Sequence, residues 1–191
     1  MRVGILAVQG DFEAHAKMLA GLGADVREVR RAAELQGLDG LVLPGGESTT
    51  QMHFLKEEGL AAAIHQMAKN GGAFFGTCAG VILLAQDVQN PQQESLGLAD
   101  VTVVRNGYGR QLDSGIFSLP TRLSSRPLES VFIRAPIIER TGPGWEILAE
   151  REGKPVLLRK EKILLSTFHP ELTDDVTIHR YFLGMMEGRP A

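Results

Sequence analysis

The chain has 191 residues, of which 43% are hydrophobic and 23% charged, a composition typical of a globular protein and not of a disordered or fibrous one. This length predicts a single domain, residues 1–191. A net charge of -3, with the basic residues scattered, excludes the basic surface of a nucleic-acid-binding protein. The single cysteine excludes an internal disulfide, and no apolar run approaches the roughly 20 residues of a membrane span. No signal-peptide pattern opens the sequence, so we expect a cytoplasmic protein without membrane contact.

Strand-like apolar runs and helical periodicity alternate through the first half of the chain. Strands are predicted at residues 2–8, 24–30, 40–44 and 72–77, and helices at residues 10–23, 48–59 and 79–86. The segment 87–97 is expected to be a loop within the domain. Such alternation predicts an α/β fold, a three-layer sandwich in which helices cover both faces of a mixed, mostly parallel central sheet.

The second half of the chain shows short apolar runs separated by Gly, Pro, Asn and Ser. Strands are predicted at residues 99–109, 129–136, 144–150, 154–160 and 162–170. We expect these strands, partly antiparallel, to form a second layer or to extend the sheet. A last helix is predicted at residues 173–187, because acidic residues open it and apolar residues recur on one face.

The only cysteine lies in Gly76-Thr77-Cys78-Ala79-Gly80, where a strand is predicted to turn into a helix. This G-x-C-x-G spacing matches the nucleophile elbow, a sharp turn in which small residues relieve crowding. The positive end of the helix dipole there favours thiolate over thiol. A lone cysteine is most often a small buried hydrophobe. The flanking glycines favour the nucleophile, so we assign that role to Cys78.

A thiol nucleophile needs an oriented base, and His169 is the candidate among five histidines. It ends an apolar strand, and the following Pro170 favours an extended conformation. Glu171, two residues on, then projects to the same side and is able to orient the imidazole. No further metal ligands lie nearby in the sequence, so no metal is expected. The other histidines lie in predicted helices and are interpreted as surface or partly buried positions: His15, His53, His65 and His179. For His15, the segment QGDFEAHA leaves open a position near the sheet edge.

An oxyanion site is predicted where the buried strand 40–44 ends in Gly45 and Gly46. Their unhindered N–H groups, with the N–H of Ala79 after the nucleophile, are the expected donors. Alone, a Pro-Gly-Gly stretch is more often just a turn. The segment RNGYGRQ, residues 105–111, contains G-x-G without a following helix and is interpreted as a turn, and no Walker A pattern occurs. No cofactor is expected.

Six segments together resemble one family: GILAVQGDFEAH, LPGGEST, FFGTCAG, RNGYGRQ, VFIRAP and FHPELT. They are similar to the glutaminase subunits of pyridoxal 5′-phosphate synthases, which belong to the triad class of glutamine amidotransferases. The resemblance runs from residue 3 to about residue 173 and implies a flavodoxin-like class I glutamine amidotransferase fold. One departure is LDSGIF, residues 112–117, where an aromatic residue is expected directly after Asp-Ser.

The resemblance implies the chemistry. Cys78 attacks the side-chain amide of L-glutamine, forms a glutamyl thioester and releases ammonia. His169 moves the protons and Glu171 orients it. The residues implied to hold glutamine are Gly46, Glu47, Ser48, Arg105, Ile133 and Arg134. An arginine fork suits the carboxylate of a free amino acid.

A partner is also implied, because a chain filled by one glutaminase domain leaves no room for a domain that uses ammonia. In this family the partner is a (β/α)8-barrel synthase that makes pyridoxal 5′-phosphate, the active form of vitamin B6. The free glutaminase is then expected to be poorly active until docking arranges the oxyanion donors. Gln9 and Gly10, at the end of the first strand, are the candidates for carrying that signal.

Three other functions remain open from the residues. The same triad occurs in the glutaminase subunit of imidazole glycerol phosphate synthase, although AVQG and FIRAP favour the pyridoxal-phosphate family. A cysteine hydrolase acting on esters or peptides would use a similar elbow. A non-catalytic redox-sensing module would oxidise Cys78, but it would not need His169 and Glu171 as base and orienter.

Overall fold

The computed structural model describes residues 1–105 and 114–187 of the chain. Apart from Arg105, the predicted turn in RNGYGRQ lies outside these ranges, as do the first two residues of LDSGIF. Within the described ranges, none of the helices is long and apolar enough to span a membrane.

The elements of the described residues are short strands and helices. The strands are β1 (Arg2–Leu6), β2 (Asp25–Val29), β3 (Gly40–Leu43), β4 (Ala73–Thr77), β5 (Ala85–Gln89), β6 (Ala99–Val104), β7 (Gly115–Leu119), β8 (Leu128–Phe132), β9 (Ile137–Thr141), β10 (Glu146–Arg151), β11 (Lys154–Lys160) and β12 (Ile163–Ser166). The α-helices are α1 (Phe12–Gly21), α2 (Ser48–Glu57), α3 (Leu60–Lys69), α4 (Ala79–Leu84) and α5 (Thr177–Met186). Short 3-10 helices cover Ala32–Leu35 and Pro170–Leu172.

The main sheet has seven strands in the order β10-β11-β12-β4-β3-β1-β2. The strands from β12 to β2 run parallel, and β11 and β10 continue the sheet as antiparallel strands. The predicted mixed, mostly parallel sheet is confirmed, and the last three predicted strands extend it. Because parallel strands end at one edge, the segments after β1, β3, β4 and β12 meet there.

Side chains of the parallel strands alternate between two hydrophobic clusters, one on each face of the sheet. Leu41 and Leu43 of β3 pack with residues of α2, α3 and α4, whereas Val42 packs with residues of α1 and α5. Phe74 and Phe75 of β4 divide between the clusters in the same way. Helices therefore cover both faces, and the predicted three-layer α/β sandwich is confirmed.

The segment after the elbow differs from its prediction. The helix expected at residues 79–86 ends at Leu84, and β5 follows at once where a helix end and a loop were expected. This strand pairs in parallel with β6. All residues of α4 are buried. A short apolar run has no polar face to define its period, so periodicity does not separate buried helix from buried strand; the prediction for residues 85–89 was wrong.

Helix α3 was missed by the sequence prediction. Gly59 separates it from α2 and adopts a left-handed φ of 66°, a conformation that suits glycine and allows the helix direction to change. Leu60, Ile64 and Met67 are buried on one face of α3. The helical spacing was thus present in the sequence, directly after a helix that the glycine ends.

The remaining strands form two small sheets. β5, β6 and β9 make a three-stranded sheet, and β7 and β8 an antiparallel hairpin. β7 and β9 were not predicted. At the LDSGIF departure, a Cβ atom on Gly115 would lie 2.8 Å from Cε2 of Phe117. The ring of Phe117 thus covers the position where the aromatic residue was expected, since residues two apart share a strand face.

Candidate active site

Cys78 occupies the turn between β4 and α4 with φ 47° and ψ -103°, a strained conformation for a residue with a side chain. Its neighbours in the motif explain how the turn packs. A Cβ atom on Gly76 would lie 2.8 Å from the carbonyl carbon and oxygen of Gly80, and one on Gly80 would lie 1.9 Å from the carbonyl oxygen of Leu43. The elbow therefore requires glycine on both sides, as the sequence motif predicts.

The strand that carries the candidate base lies next to the elbow. The backbone N–H of Cys78 donates to the carbonyl oxygen of Ser166, the last residue of β12, at 2.9 Å. Three residues further on, the N–H of His169 donates to the carbonyl oxygen of Val131 in β8 at 2.8 Å. These bonds fix the backbone of His169 between two strands, beside Cys78.

The structure brings Cys78, His169 and Glu171 together at the carboxyl edge of the sheet. His169 Nδ1 and Glu171 Oε1 are 2.7 Å apart, and the imidazole also interacts with the Cys78 thiol. The three residues are 8%, 4% and 5% exposed. The Pro170–Leu172 3-10 turn places Glu171 next to the ring, where the sequence predicted an extended backbone. The geometry is that of a nucleophile, a base and an orienting carboxylate.

Burial alone would lower the pKa of His169, but hydrogen bonding and charge interactions with Cys78 and Glu171 outweigh it and raise the pKa to about 10. The protonated imidazole is therefore favoured at neutral pH. A protonated imidazole beside a thiol is the arrangement expected of a nucleophile and its proton donor.

The three backbone N–H groups predicted to bind the oxyanion, those of Gly45, Gly46 and Ala79, differ in whether they are already hydrogen-bonded. The N–H of Gly45 donates to Thr77 Oγ1 at 3.1 Å and is engaged in this structure. Gly46 has a positive φ of 150° and lines the site cavity. Ala79 is the first residue of α4 and directly follows Cys78, so its N–H has no acceptor within the helix. Their oxyanion role remains a prediction, and for Gly45 it requires the bond to Thr77 to break.

Gln9 and Gly10 contact the backbone of residues 45–47, the segment that follows β3. Gln9 Oε1 accepts from the N–H of Glu47 at 2.6 Å. Gly10, at φ 101°, lies so close that a Cβ atom on it would be 1.8 Å from the carbonyl oxygen of Gly45. A displacement of the segment after β1 would therefore displace the backbone of Gly45 and Glu47.

A cavity of about 100 Å³ opens beside Cys78 and Ala79. All of the residues predicted to hold glutamine line it: Gly46, Glu47, Ser48, Arg105, Ile133 and Arg134. A groove of about 740 Å³ between α2 and residues 86–95 is larger but contains neither cysteine nor histidine. The smaller cavity is therefore the candidate substrate site.

Opposite charges lie in this cavity. Arg105 Nη2 is 3.4 Å from Glu47 Oε1. The carboxylate of Glu47 also accepts from the N–H groups of Thr49 and Thr50 at the start of α2. Burial works against its ionised form, but these hydrogen bonds outweigh burial and lower the pKa of Glu47. A guanidinium and a carboxylate side by side match the carboxylate and ammonium of a free amino acid.

Two histidines were misjudged from the sequence. His15 and His179, expected at surface or partly buried helix positions, are both 0% exposed. His15 Nδ1 and His179 Nε2 are 2.9 Å apart. Helical spacing in the sequence could have indicated their burial. His15 lies four residues before the buried Leu19 of α1, and His179 lies three residues before the buried Phe182 of α5. The other two helical histidines, His53 and His65, are exposed as interpreted.

Burial of His179 predicts a pH-dependent stability. Burial lowers the pKa of His179 to about 4, against about 6.5 in an unfolded chain. Between these values the unfolded chain binds a proton that the folded one does not, so the free energy of unfolding falls as pH decreases. In His179→Gln, the free energy of unfolding is expected to fall by about 3 kcal/mol less than in the wild type between pH 7 and pH 4. Urea unfolding from pH 7 to pH 4 measures the slope, and His65→Gln, at an exposed position, serves as the control. An unchanged slope in His179→Gln would contradict the prediction.

Asp11, at the start of α1, also lies close to the candidate triad. Its carboxylate and the ligand atoms of His169 and Glu171 are all within 4.8 Å of one another. Such a spacing is able to hold a metal ion, but His169 Nδ1 is already bonded to Glu171 and Asp11 is exposed. We assign no metal to this group.

The fold and the cluster at the sheet edge define the class of protein. A solved structure described as a glutamine amidotransferase matches with a TM-score of 0.91 and 44% identity, covering 97% of this chain and 98% of that one. A glutamine amidotransferase from Thermotoga maritima, at 15% identity, shares the fold with a TM-score of 0.64 over 98% of this chain and 83% of that one. The fold is that of the flavodoxin-like class I glutamine amidotransferases.

Comparisons of sequence narrow the class to one family. Residues 5–188 match the SNO glutamine amidotransferase family, and the chain belongs to it. The pyridoxal 5′-phosphate synthase subunit PdxT of Thermotoga neapolitana is 49% identical over 189 residues, 98% of this chain and 100% of the relative. PdxT of Koribacter versatilis is 48% identical over 186 residues, 97% of this chain and 96% of the relative. The resemblance carried by the sequence motifs is confirmed, and the chain is an enzyme.

Proposed function

We propose that this chain is the glutaminase subunit of a pyridoxal 5′-phosphate synthase. It hydrolyses L-glutamine to L-glutamate and supplies the ammonia to a synthase subunit. The observation that carries the proposal is a cavity lined by Cys78, Arg105 and Glu47, with Cys78 next to the paired His169 and Glu171. The near-complete alignment with relatives named PdxT supports the pathway.

The proposed reaction has two halves. The Cys78 thiolate attacks the amide carbon of the glutamine side chain, and the proton on His169 passes to the departing nitrogen, so that ammonia leaves and a glutamyl thioester remains. Water then attacks the thioester, His169 takes its proton, and glutamate leaves as the thiolate is restored. Glu171 keeps the imidazole in orientation throughout. The proposed oxyanion donors are the N–H groups of Gly46 and Ala79, with Gly45 joining once its bond to Thr77 is released.

Substrate selection is assigned to the residues that line the cavity. Arg105 and Arg134 are proposed to bind the glutamine carboxylate, and Glu47 its ammonium. Gly46, Ser48 and Ile133 complete the lining. An ester or peptide would lack one of the two free charges that this arrangement selects, which favours a glutaminase over a general cysteine hydrolase.

The proposed partner is a (β/α)8-barrel synthase subunit that consumes the ammonia. Gln9 and Gly10 are the proposed carriers of the docking signal, because they touch the backbone of Gly45 and Glu47. In the absence of the partner the Gly45 N–H stays on Thr77, and activity is expected to be low. We further propose one glutaminase domain, residues 1–191, acting in the cytoplasm without nucleic acid, membrane, metal or cofactor.

The test is ammonia release from L-glutamine by the purified chain, alone and with a pyridoxal 5′-phosphate synthase subunit added. The synthase is expected to raise kcat at least tenfold, since one oxyanion donor is worth about a factor of 100 or more. The cyclase of imidazole glycerol phosphate synthase serves as the matched control and is expected to have no effect. Activation by that cyclase alone would keep the glutaminase chemistry and reject the pathway.

A further inference from the structure

A buried polar cluster lies next to the candidate triad, outside the lining of the glutamine cavity. It consists of Thr77 on β4, His15 on α1 and His179 on α5, and it contacts Glu171. Neither histidine lines the cavity or takes part in the proposed proton transfers. Two fully buried imidazoles are unusual, since a buried polar group without a partner destabilises the fold. Their contacts with each other, with Thr77 and with Glu171 indicate how these two imidazoles are stabilised.

The two carboxylate oxygens of Glu171 have different surroundings. Oε1 is 2.7 Å from His169 Nδ1. Oε2 is buried, lies 3.3 Å from His15 Nε2 and makes no well-aligned hydrogen bond within the described residues. The same His15 nitrogen is 3.2 Å from Thr77 Oγ1, and its geometry favours the hydroxyl. The His15 nitrogen is thus shared between an oxygen of Thr77 and the second oxygen of Glu171.

The hydrogen on His15 is assigned by its neighbours. Burial, followed by the charges of His179 and His169, lowers the pKa of His15 well below its ordinary value, so the ring is neutral and carries one N–H. If that hydrogen were on Nδ1, a bare Nε2 lone pair would face the Glu171 carboxylate at 3.3 Å. With the hydrogen on Nε2, the N–H faces both oxygens and Nδ1 accepts from His179 Nε2. The second arrangement leaves no repulsive contact, and it requires His179 to be protonated on Nε2.

We propose that His15 is a positioning residue of this glutaminase: its Nε2–H holds the free oxygen of Glu171, and His179 fixes the tautomer in which that hydrogen is present. This inference rests on the proposed function, because it extends the Cys78, His169 and Glu171 arrangement by two residues. Contacts of this kind are often long in the absence of substrate and shorten in the reacting complex. Among the residues that the structure describes, the titratable groups facing His15 are His179 from α5, and His169 and Glu171 from the segment after β12.

The first test uses the chain alone and reads out the only thiol in the sequence. The rate of Cys78 alkylation by iodoacetamide is measured from pH 5 to pH 9. His15→Leu removes the donor to Glu171 and weakens the support for His169 beside the thiol, so alkylation at pH 7 is expected to slow by about tenfold. His15→Gln keeps an N–H donor and is expected to slow alkylation by less than about threefold. His65→Gln, the same substitution at an exposed position of α3, is expected to match the wild type.

The second test measures kcat and KM with the synthase subunit present. His15→Leu is expected to lower kcat by about 10- to 100-fold, the usual effect of removing a residue that orients an active group. KM is expected to stay within about twofold, because His15 does not line the glutamine cavity. His179→Leu leaves the His15 side chain in place and is also expected to lower kcat. His179→Gln is expected to lower kcat by a smaller factor. Should His15→Leu fail to fold, His179→Leu and His15→Gln carry the comparison.

Two outcomes would overturn the inference: a wild-type alkylation profile in His15→Leu, or equal impairment in His15→Leu and His15→Gln. Failure of the proposed function gives a different result. The wild-type chain would then release no ammonia with the synthase, while the slowing of Cys78 alkylation in His15→Leu would still be observed.

Discussion

Cys78→Ala is expected to lower synthase-stimulated ammonia release by at least about four orders of magnitude, a loss typical of removing the nucleophile from a catalytic triad. In the proposed mechanism the Cys78 thiolate forms the thioester, and the chain contains no second cysteine to replace it. His169 and Glu171 would remain paired at 2.7 Å but would have no nucleophile to serve. A water molecule activated by His169 in its place would support only a small fraction of the rate.

The control for this variant is substrate binding. Because the contacts proposed for glutamine come mainly from Arg105, Glu47 and Arg134, Cys78→Ala is expected to bind glutamine in the synthase complex with an affinity near that of the wild type. Isothermal titration calorimetry measures the affinity, and an ammonia assay measures kcat. Residual activity above about 1% in a well-folded variant would be incompatible with Cys78 as nucleophile.

The sequence predicts well those parts of the structure in which a short sequence pattern is compatible with only one local conformation. Gly76 and Gly80 flank Cys78 because a Cβ atom on either would strike backbone, and that constraint is visible as G-x-C-x-G. His169 and Glu171 lie two residues apart, so the short 3-10 turn at Pro170–Leu172 suffices to bring them together, although the sequence predicted an extended backbone there. The alternation of strand and helix likewise fixes the parallel sheet.

The parts that escaped prediction depend on contacts between distant segments. The burial of His15 depends on α5, which follows it by more than 150 residues and supplies His179. The engagement of the Gly45 N–H depends on Thr77 from the neighbouring strand. A histidine within a helical pattern is compatible with either surface or core, and only the packing of α1 and α5 on one face of the sheet decides between them.

The elbow also makes a strong prediction for stability: Gly80→Ala is expected to destabilise the chain by about 3 to 5 kcal/mol. Alanine is normally the better helix former, so propensity alone would favour this substitution in α4. Here the added Cβ atom would lie 1.9 Å from the carbonyl oxygen and 2.8 Å from the carbonyl carbon of Leu43. Both atoms belong to the backbone of a central strand, so no side-chain rotation relieves the clash. Helix α4 must move away from β3.

Gly184→Ala is the matched control, since Gly184 is also helical but a Cβ atom there would meet nothing within 4 Å. It is expected to stabilise the chain by about 0.5 to 1 kcal/mol, so the same substitution changes sign between α4 and α5. Urea unfolding measures both values. Since α4 begins directly after Cys78, Gly80→Ala is also expected to slow alkylation of the thiol at neutral pH, by moving it away from His169. Equal stabilities for the two variants would show that β3 and α4 do not pack as closely as the nucleophile elbow requires.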